Sequence, residues 1–258
     1  INKINKGKTL ITNIPLSLNN EFANNASKQH ITLINLGTIP RIARAQSMDI
    51  LSSQSSLAGY KATLIAAQLL GKIFPMMMTA AGTIPPAHGL ILGAGVAGLQ
   101  SIATSRRLGA VVSAYDVRPV VKEQVESLGA KFLQLDFGEQ TLEDSGGYAK
   151  EVTNDMKAQE DALVHENVAL ADYVITTALI PGRPAPILIP EDMVKAMQSG
   201  SVIMDLASEN GGNCEVTEPG KVVTKHGVTI DGTTNIPGTM SVHATELYAK
   251  NVNALLTH

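Results

Sequence analysis

GLILGAGVAG, residues 89–98, is a short apolar run followed by the pattern G-x-G-x-x-G. Gly93 permits a tight turn after a strand, and Gly95 lets the main chain approach a pyrophosphate closely. Gly98 allows the following helix to pack tightly on the strand. The start of that helix offers free N–H groups and the positive end of its dipole. The stretch therefore predicts a strand, a turn and a helix that together bind a dinucleotide.

The pattern around this stretch alternates between apolar strand-like runs and helical segments. Near-continuous apolar strands separated by helices are typical of a parallel sheet covered on both faces. We therefore predict an α/β fold, a doubly wound parallel sheet of the Rossmann type. The predicted strands cover residues 89–92, 111–116, 131–136, 172–177, 201–206 and 228–232, and the predicted helices cover residues 96–108, 119–128, 148–168 and 191–197.

Asp116 is predicted to end the second strand, close to the spacing of about 20 residues at which an acidic group meets the ribose hydroxyls. A carboxylate there repels a 2′-phosphate, which favours NAD(H) over NADP(H). Arg118 leaves the alternative open, because an arginine after this strand can accommodate a 2′-phosphate. The nucleotide site predicted from this region of the chain comprises Gly93, Ala94, Gly95, Val96, Gly98, Asp116, Val117 and Arg118.

The rest of the chain reads as a second, truncated α/β domain. Residues 1–45 and 236–258 are expected to be the remnant of a first domain, with a strand at residues 31–36 and a helix at residues 242–256. Residues 46–87 are expected to form a linker region, with one long helix or two abutting helices within residues 45–74. Residues 88–235 are then the nucleotide-binding domain. The opening on Ile1 leads us to expect an excised or processed piece of a longer chain.

Composition excludes several classes of function. The 258 residues are 44% hydrophobic and carry a net charge of −3, so no basic field would attract nucleic acid. The single cysteine, Cys214, excludes a disulfide and a multi-cysteine zinc site, and we expect no metal. Residues 64–81 form the most apolar long window, but they contain Lys72 and Pro75 and are not expected to cross a membrane.

A proton-transfer catalyst is not evident in the sequence. A dehydrogenase that oxidises an alcohol or amine needs a general base beside the nicotinamide. The six histidines stand in no recognisable catalytic motif, and His88 precedes the first strand, away from the predicted cofactor. If the chain is an enzyme, its chemistry should require no proton from the protein.

Several long segments resemble the NAD(H)-binding domain I of proton-translocating NAD(P) transhydrogenase, and more distantly alanine dehydrogenase. The resemblance runs from about residue 39 to the C-terminus. It is carried by IPRIARAQSMDILSSQ (39–54), TAAGTIPPA (79–87), DVRPVVKEQVESLGAKF (116–132), GGYAKE (146–151), TTALIPGRPAP (176–186) and DLASENGGNCEVTEPGK (205–221).

This resemblance implies a soluble domain of a membrane-bound enzyme, on the cytoplasmic or mitochondrial matrix face of an energy-transducing membrane. The domain would bind NAD(H), a partner domain would bind NADP(H), and hydride would pass directly between the two nicotinamide rings. A proton-translocating membrane domain of the same enzyme would be coupled to this transfer. The resemblance also implies a homodimer.

Site residues follow from the same resemblance. Arg41 would bind the nicotinamide carboxamide and phosphate oxygens, and Gln46 would reach toward the NADP(H) of the partner domain. Asp49 and Ser52 would complete the hydrogen-bond network that fixes this loop. The loop positions implied to contact the cofactor are Arg41, Ile42, Ala43, Gln46, Leu51 and Ser52.

Three further portions of the implied site lie later in the chain. Gly147 and Tyr148 match a mobile loop that closes over the nucleotide. Ala178 and Leu179 follow the fourth strand, near the adenosine and ribose. Glu160 stands where the resemblance implies a glutamine that contacts adenine.

Two alternative functions remain open from the sequence. An alanine-dehydrogenase-like oxidoreductase would need Lys and His catalysts on the first domain, where His30 stands without a motif around it. A catalytically silent NAD-binding module would need no catalytic residue at all. The resemblance also implies a first domain of more than about a hundred residues, whereas about 40 residues stand in its place here.

Overall fold

The computed structural model describes residues 4–14, 20–40, 42–134, 154–180 and 183–258. The chain divides into two compact units. The first comprises Ile1–Leu57 and Pro237–His258, and the second comprises Ala58–Ile236. The boundary falls inside one helix, Ile50–Leu69.

The first unit has a short parallel pair of strands and three helices of different lengths. The strands pair in register from Thr9 with Thr32 to Thr12 with Asn35. A 3₁₀ segment, Ala43–Met48, precedes the helix that leaves this unit. In chain order the elements are β1 (Thr9–Thr12), α1 (Asn20–Lys28), β2 (Thr32–Asn35), the start of α2 (Ile50–Leu69) and, at the end of the chain, α7 (Ser241–Thr257).

The second unit follows the alternation of strands and helices that the sequence predicts. A two-stranded antiparallel hairpin precedes the central sheet. In chain order the elements are β3 (Met77–Thr79), β4 (Gly82–Ile84), β5 (His88–Leu92), α3 (Val96–Arg107), β6 (Val111–Tyr115), α4 (Lys122–Ser127), β7 (Lys131–Phe132), α5 (Asn154–Leu170), β8 (Tyr173–Thr176), α6 (Glu191–Ala196), β9 (Val202–Asp205), β10 (Val222–Lys225) and β11 (Val228–Asp231).

The central sheet has seven strands in the order β10-β11-β9-β8-β5-β6-β7. All neighbouring pairs are parallel except β10 with β11. Numbered along the chain, the six parallel strands stand in the order 3-2-1-4-5-6, which is the arrangement of a dinucleotide-binding fold. The strand order reverses between β5 and β8. The predicted fold class, a doubly wound parallel sheet, is confirmed.

The sheet is covered on both faces because successive strand residues point to opposite sides. Ile91 of β5 packs into one buried cluster with Ala62 of α2 and Ile102 of α3. Its neighbour Leu90 packs into the other cluster, with Val168 of α5. The same alternation holds in β8 and β9, which explains why the central strands are apolar almost throughout.

Several predicted boundaries change in the structure. The strand predicted at residues 131–136 is observed only as β7, because its partner β6 ends at Tyr115 and offers no further pairing. The helix predicted at residues 119–128 begins as a 3₁₀ turn, Pro119–Val121, before α4. The helix predicted at residues 148–168 is observed as α5, and its predicted start lies outside the described residues.

The long helix predicted within residues 45–74 is shorter, because α2 starts at Ile50 and ends at Leu69. The Asp49 carboxylate accepts hydrogen bonds from the amides of Leu51 and Ser52, which fixes the start. Four features are absent from the elements predicted above: β1, α1, the β3–β4 hairpin and β10. These elements are short, and the hairpin is exposed along both strands.

Candidate functional site

The glycine loop, residues 93–98, connects β5 to α3 and has the conformation that its glycines permit. Gly93 has a φ of +99°, a region that residues with a Cβ seldom adopt. A Cβ at Gly98 would lie 1.8 Å from the carbonyl oxygen of Gly93, so only glycine fits there. Both requirements come from the turn itself.

Gly95 differs from its neighbours because nothing in the fold requires it. A Cβ at Gly95 would meet no atom of the described residues within 4 Å, and its φ of −77° suits any residue. Gly95 is also the residue that precedes α3, where the first amide groups are not used by the helix's own hydrogen bonds. The open side of this glycine therefore lies at an anion-binding helix end.

Asp116 follows β6 and faces the glycine loop. Its Oδ2 accepts a hydrogen bond from the amide of Ala94 at 2.7 Å. Its Oδ1 accepts from the amide of Arg118 at 2.9 Å, and the Arg118 guanidinium reaches both carboxylate oxygens at 2.9 Å. The Asp116 side chain is 6% exposed and that of Arg118 is 56% exposed. The carboxylate thus ties the loop to the end of the second strand of the predicted fold.

These contacts determine the charge of Asp116. Partial burial raises the pKa of its carboxyl group, but the hydrogen bonds from Arg118 and from the amide of Ala94 outweigh burial and hold the pKa below its ordinary value. The same pairing raises the pKa of Arg118. Both groups are therefore charged at neutral pH, and each neutralises the other.

The carboxyl ends of β5 and β8 meet at the point where the strand order reverses, which is where ligands bind in open α/β sheets. Thr177, directly after β8, donates a hydrogen bond from its hydroxyl to the Gly93 carbonyl at 3.0 Å. The next residues, Ala178 and Leu179, continue along this edge, and Leu179 is 53% exposed. The structure thus brings the glycine loop and the predicted residues 178 and 179 together.

Glu160 lies on α5 and contacts the residue before Asp116. Burial and the neighbouring Glu160 carboxylate, which accepts a hydrogen bond from the Tyr115 hydroxyl, raise the pKa of Tyr115 to about 12. Glu160 therefore stands beside the end of β6, next to the predicted ribose-binding position. Its contact with Tyr115 is one that a glutamine oxygen could also accept.

In the first unit, Asp49 and Ser52 form the hydrogen-bond network that the sequence resemblance implies for this segment. The Ser52 hydroxyl donates to Asp49 Oδ2 at 2.6 Å, and the Ser52 amide donates to Asp49 Oδ1 at 3.1 Å. Asp49 is 7% exposed, so its carboxylate is buried and satisfied by the start of α2. The two residues are brought together, and their role in catalysis stays a prediction.

The other implied residues of this segment are exposed. Gln46 lies in the 3₁₀ segment with its side chain at the surface, as do Ile42, Ala43 and Leu51. Val96 and Val117, of the second unit, are exposed as well. Arg41, Gly147 and Tyr148 lie outside the described residues.

Three buried polar residues near these segments are not among the residues predicted from sequence. Asp205 ends β9 with no exposed surface, and Asn213 is equally buried in the loop that follows. Asn251 of α7 donates to the Ser47 carbonyl at 2.7 Å and accepts from the Ser53 hydroxyl at 2.7 Å. Asp205 could have been noticed, because it is the acidic residue at the end of the buried run SVIMD. Asn213 and Asn251 leave no comparable pattern.

Two features are absent from the described residues. They contain no group of three or more His, Cys, Asp or Glu side chains that could hold a metal ion. Their helices include none that is long and apolar enough to cross a membrane.

Curated relatives and solved structures resemble this chain over nearly its whole length. The first portion of NAD(P) transhydrogenase subunit alpha of Rhodospirillum rubrum, a separate chain, is 52% identical over 255 residues, which are 98% of this chain and 66% of that protein. A transhydrogenase structure from Sinorhizobium meliloti superposes with a TM-score of 0.87 at 48% identity, covering 96% of this chain and 67% of that one. The chain thus spans about two thirds of the length of these relatives.

A more distant likeness extends to an amino-acid dehydrogenase. A structure of L-alanine dehydrogenase superposes with a TM-score of 0.76 at 26% identity, covering 96% of this chain and 64% of that one. A sequence profile described as "Alanine dehydrogenase/PNT, C-terminal domain" matches residues 62–258. The resemblance seen in the sequence is confirmed, and the chain belongs to the alanine dehydrogenase/PNT C-terminal domain family.

Proposed function

We propose that this chain is the NAD(H)-binding component of a proton-translocating NAD(P) transhydrogenase. The observation that carries the proposal is the glycine loop at the reversal point of the sheet, with Asp116 bonded to it through the amide of Ala94. Gly95 leaves open space at the start of α3, which suits the close approach of a pyrophosphate.

The pairing of Asp116 with Arg118 supports NAD(H) rather than NADP(H) at this site. A 2′-phosphate would have to approach the Asp116 carboxylate and would need a free guanidinium to compensate. Here the guanidinium is already held at 2.9 Å from both carboxylate oxygens. Ribose hydroxyls can instead exchange with the guanidinium as donors to the same oxygens.

NAD(H), when bound, supplies or accepts the hydride. The protein's role in such a transfer is to position the reacting ring and to exclude water, with no proton to donate or accept. We assign the backbone amides at the start of α3 to the pyrophosphate and Asp116 to the ribose. Arg41, Gln46, Asp49 and Ser52 are assigned to the catalytic segment by family resemblance, with Gln46 acting toward the NADP(H) of the partner.

The partners in this proposal are an NADP(H)-binding domain and a proton-translocating membrane domain of the same enzyme. The name of the Rhodospirillum rubrum relative, which describes one portion of a subunit alpha, supports an assembly of several chains. We further propose that the chain acts as a homodimer on the cytoplasmic or mitochondrial matrix face of an energy-transducing membrane.

Reconstitution tests the proposal. The purified chain is mixed with a separately purified transhydrogenase NADP(H)-binding domain, and reduction of an NAD analogue by NADPH is followed by absorbance. We expect turnover that needs both proteins. Gln46→Asn should lower the rate by about tenfold or more while changing the NADH dissociation constant less than about threefold. Gln124→Asn, at an exposed position on α4, is the matched control and should leave both unchanged. NADH binding without any turnover would overturn the transhydrogenase proposal.

The likeness to L-alanine dehydrogenase supports a second candidate, an alanine-dehydrogenase-like oxidoreductase. The same preparation distinguishes it without a partner protein. Formation of NADH from NAD⁺ that depends on L-alanine would favour this candidate. A catalytically silent NAD-binding module predicts neither reaction, and predicts that Gln46→Asn changes nothing measurable.

A further inference from the structure

Asn213 makes more side-chain hydrogen bonds to the main chain than its place in an irregular loop would suggest. Its Oδ1 accepts from the amide of Ala178 at 3.0 Å, and its Nδ2 donates to the Ala178 carbonyl at 2.9 Å. The same Nδ2 donates to the Pro186 carbonyl at 2.8 Å. One buried amide therefore replaces a strand partner for Ala178 and also holds Pro186.

Asp205 holds Asn213 in turn. Its Oδ2 accepts from the amides of Asn213 and Cys214 at 2.8 and 3.0 Å, and from the Thr217 hydroxyl at 2.7 Å. Its Oδ1 accepts from the Thr176 hydroxyl at 3.1 Å and from the amide of Ala207 at 3.0 Å. Five donors thus satisfy a carboxylate with no exposed surface.

The chain of bonds ends at the glycine loop. Ala178 is preceded by Thr177, whose hydroxyl donates to the Gly93 carbonyl at 3.0 Å. The contacts therefore run from β9 through Asp205 and Asn213 to the main chain after β8, and from there to the turn after β5. These are the carboxyl ends of three adjacent strands of the sheet.

We propose that Asn213 is a positioning residue for nucleotide binding, held by Asp205, because it fixes the main chain at Ala178 against the glycine loop. This inference rests on the proposed function, since the ligand is taken to be NAD(H). Asn213 touches no atom of the glycine loop itself, so it acts through Ala178 and Thr177. A substitution there should weaken nucleotide binding without altering any residue assigned to contact the nucleotide.

Asn213→Ala removes all three side-chain bonds. Loss of buried partners of this kind costs about 1–3 kcal/mol. If the loss appears in binding, the NADH dissociation constant rises by about tenfold, the factor that corresponds to about 1.4 kcal/mol. The matched control is Val228→Ala, which opens a cavity at a fully buried position at the start of β11 and touches neither loop. Val228→Ala should change the NADH dissociation constant less than about twofold, even though it lowers the melting temperature.

Asn213→Asp supplies a readout that general destabilisation does not. The new carboxylate faces the carbonyls of Ala178 and Pro186 and cannot donate to them, but its protonated form can donate to one. NADH affinity of this variant should therefore improve as the pH falls from about 8 to about 6, because burial raises the pKa of such a carboxyl group. The unsubstituted chain and Asn213→Ala should lack this pH-dependent gain.

Hydrogen exchange of the Ala178 amide separates this inference from the proposed function. Asn213→Ala should speed exchange of that amide by about tenfold or more, while amides of β5 keep their protection. If exchange speeds up but NADH binds as before, or if Val228→Ala weakens NADH binding equally, the positioning role is overturned. If exchange is unchanged, the contact itself is refuted. Failure of the unsubstituted chain to bind NADH would refute the proposed function, whatever the exchange rates.

Discussion

The glycine loop and the segment Ala43–Met48 carry the two groups of implied site residues, and they are held in different ways. The glycine loop is fixed by the conformations of its own residues, by Asp116 and by Thr177 at the adjacent strand end. Ala43–Met48 is fixed from the far end of the chain, because Asn251 of α7 bonds the Ser47 carbonyl. One segment is specified by local sequence and the other by a contact across about 200 residues.

This difference separates what the two segments offer a ligand. The glycine loop presents main-chain amides and bare space, which glycine spacing encodes directly. Ala43–Met48 presents the exposed side chain of Gln46, whose position depends on how α7 holds the segment. Substitutions should therefore act locally and strongly in the first case, and from a distance and more weakly in the second.

The largest expected effect comes from Gly98→Ala. Its Cβ would lie 1.8 Å from the Gly93 carbonyl oxygen, so the turn must shift. We expect a loss of stability of at least about 1–3 kcal/mol and loss of NADH binding, measured by denaturant unfolding and by calorimetry. Gly71→Ala is the matched control, because a Cβ there meets no atom of the described residues within 4 Å. Equal behaviour of the two variants would contradict local control of the loop.

A change of cofactor preference should follow from Asp116→Ala. The substitution removes the carboxylate and frees the Arg118 guanidinium, so NADH affinity should fall by about tenfold and NADPH affinity should rise. Arg118→Ala keeps the carboxylate and should leave NADPH binding weak. Competition binding with both nucleotides measures these changes. An unchanged preference in Asp116→Ala would show that this residue does not discriminate between the cofactors.

A smaller effect, from a distance, is expected for Asn251→Ala. Loss of its bonds to Ser47 and Ser53 should cost the first unit about 1–3 kcal/mol and release the segment that carries Gln46. Amide exchange of Asp49 should speed up, since its N–H is bonded to the Gln46 carbonyl at the end of that segment. Asn253→Ala on the same helix is the control. Unchanged exchange would mean that local sequence alone fixes this segment too.

The smallest effect concerns Cys214, the only cysteine. Burial raises the pKa of its thiol to about 11. At about pH 8 the native thiol is therefore protonated and should react with a disulfide reagent at least about a hundredfold more slowly than in the unfolded chain. Since the folded pKa lies above the unfolded one, the stabilisation is complete below the unfolded value and is lost as the pH rises through about 11. Fast native labelling would contradict the buried placement.

The sequence predicts the central sheet well because its strands are apolar on both faces and its glycines have defined conformational tasks. Six parallel strands appear where apolar runs were identified, with β7 shortened because β6 ends at Tyr115. The hairpin β3–β4 and the edge strand β10 were missed, since exposed strands lack a strong apolar signal. The start of α2 depended on recognising Asp49 as a helix cap.

The site divides in the same way. Gly93, Gly98 and Asp116 could be predicted because each answers a local requirement that spacing reveals. Asn213 and Asn251 could not, because a buried amide that satisfies distant carbonyls looks like any loop or helix asparagine in sequence. Such residues become visible only when the fold brings their partners together.

Calorimetric titration of NADH into the chain and into Gly95→Val tests the central claim most directly. A Cβ at Gly95 meets no atom of the described residues within 4 Å, so the fold should tolerate the substitution. The same side chain would occupy the space assigned to the pyrophosphate. We predict saturable NADH binding by the unsubstituted chain, and loss of at least about a hundredfold in affinity with an unchanged melting temperature in the variant. Equal NADH binding by both proteins would contradict the assignment of this loop as the nucleotide site.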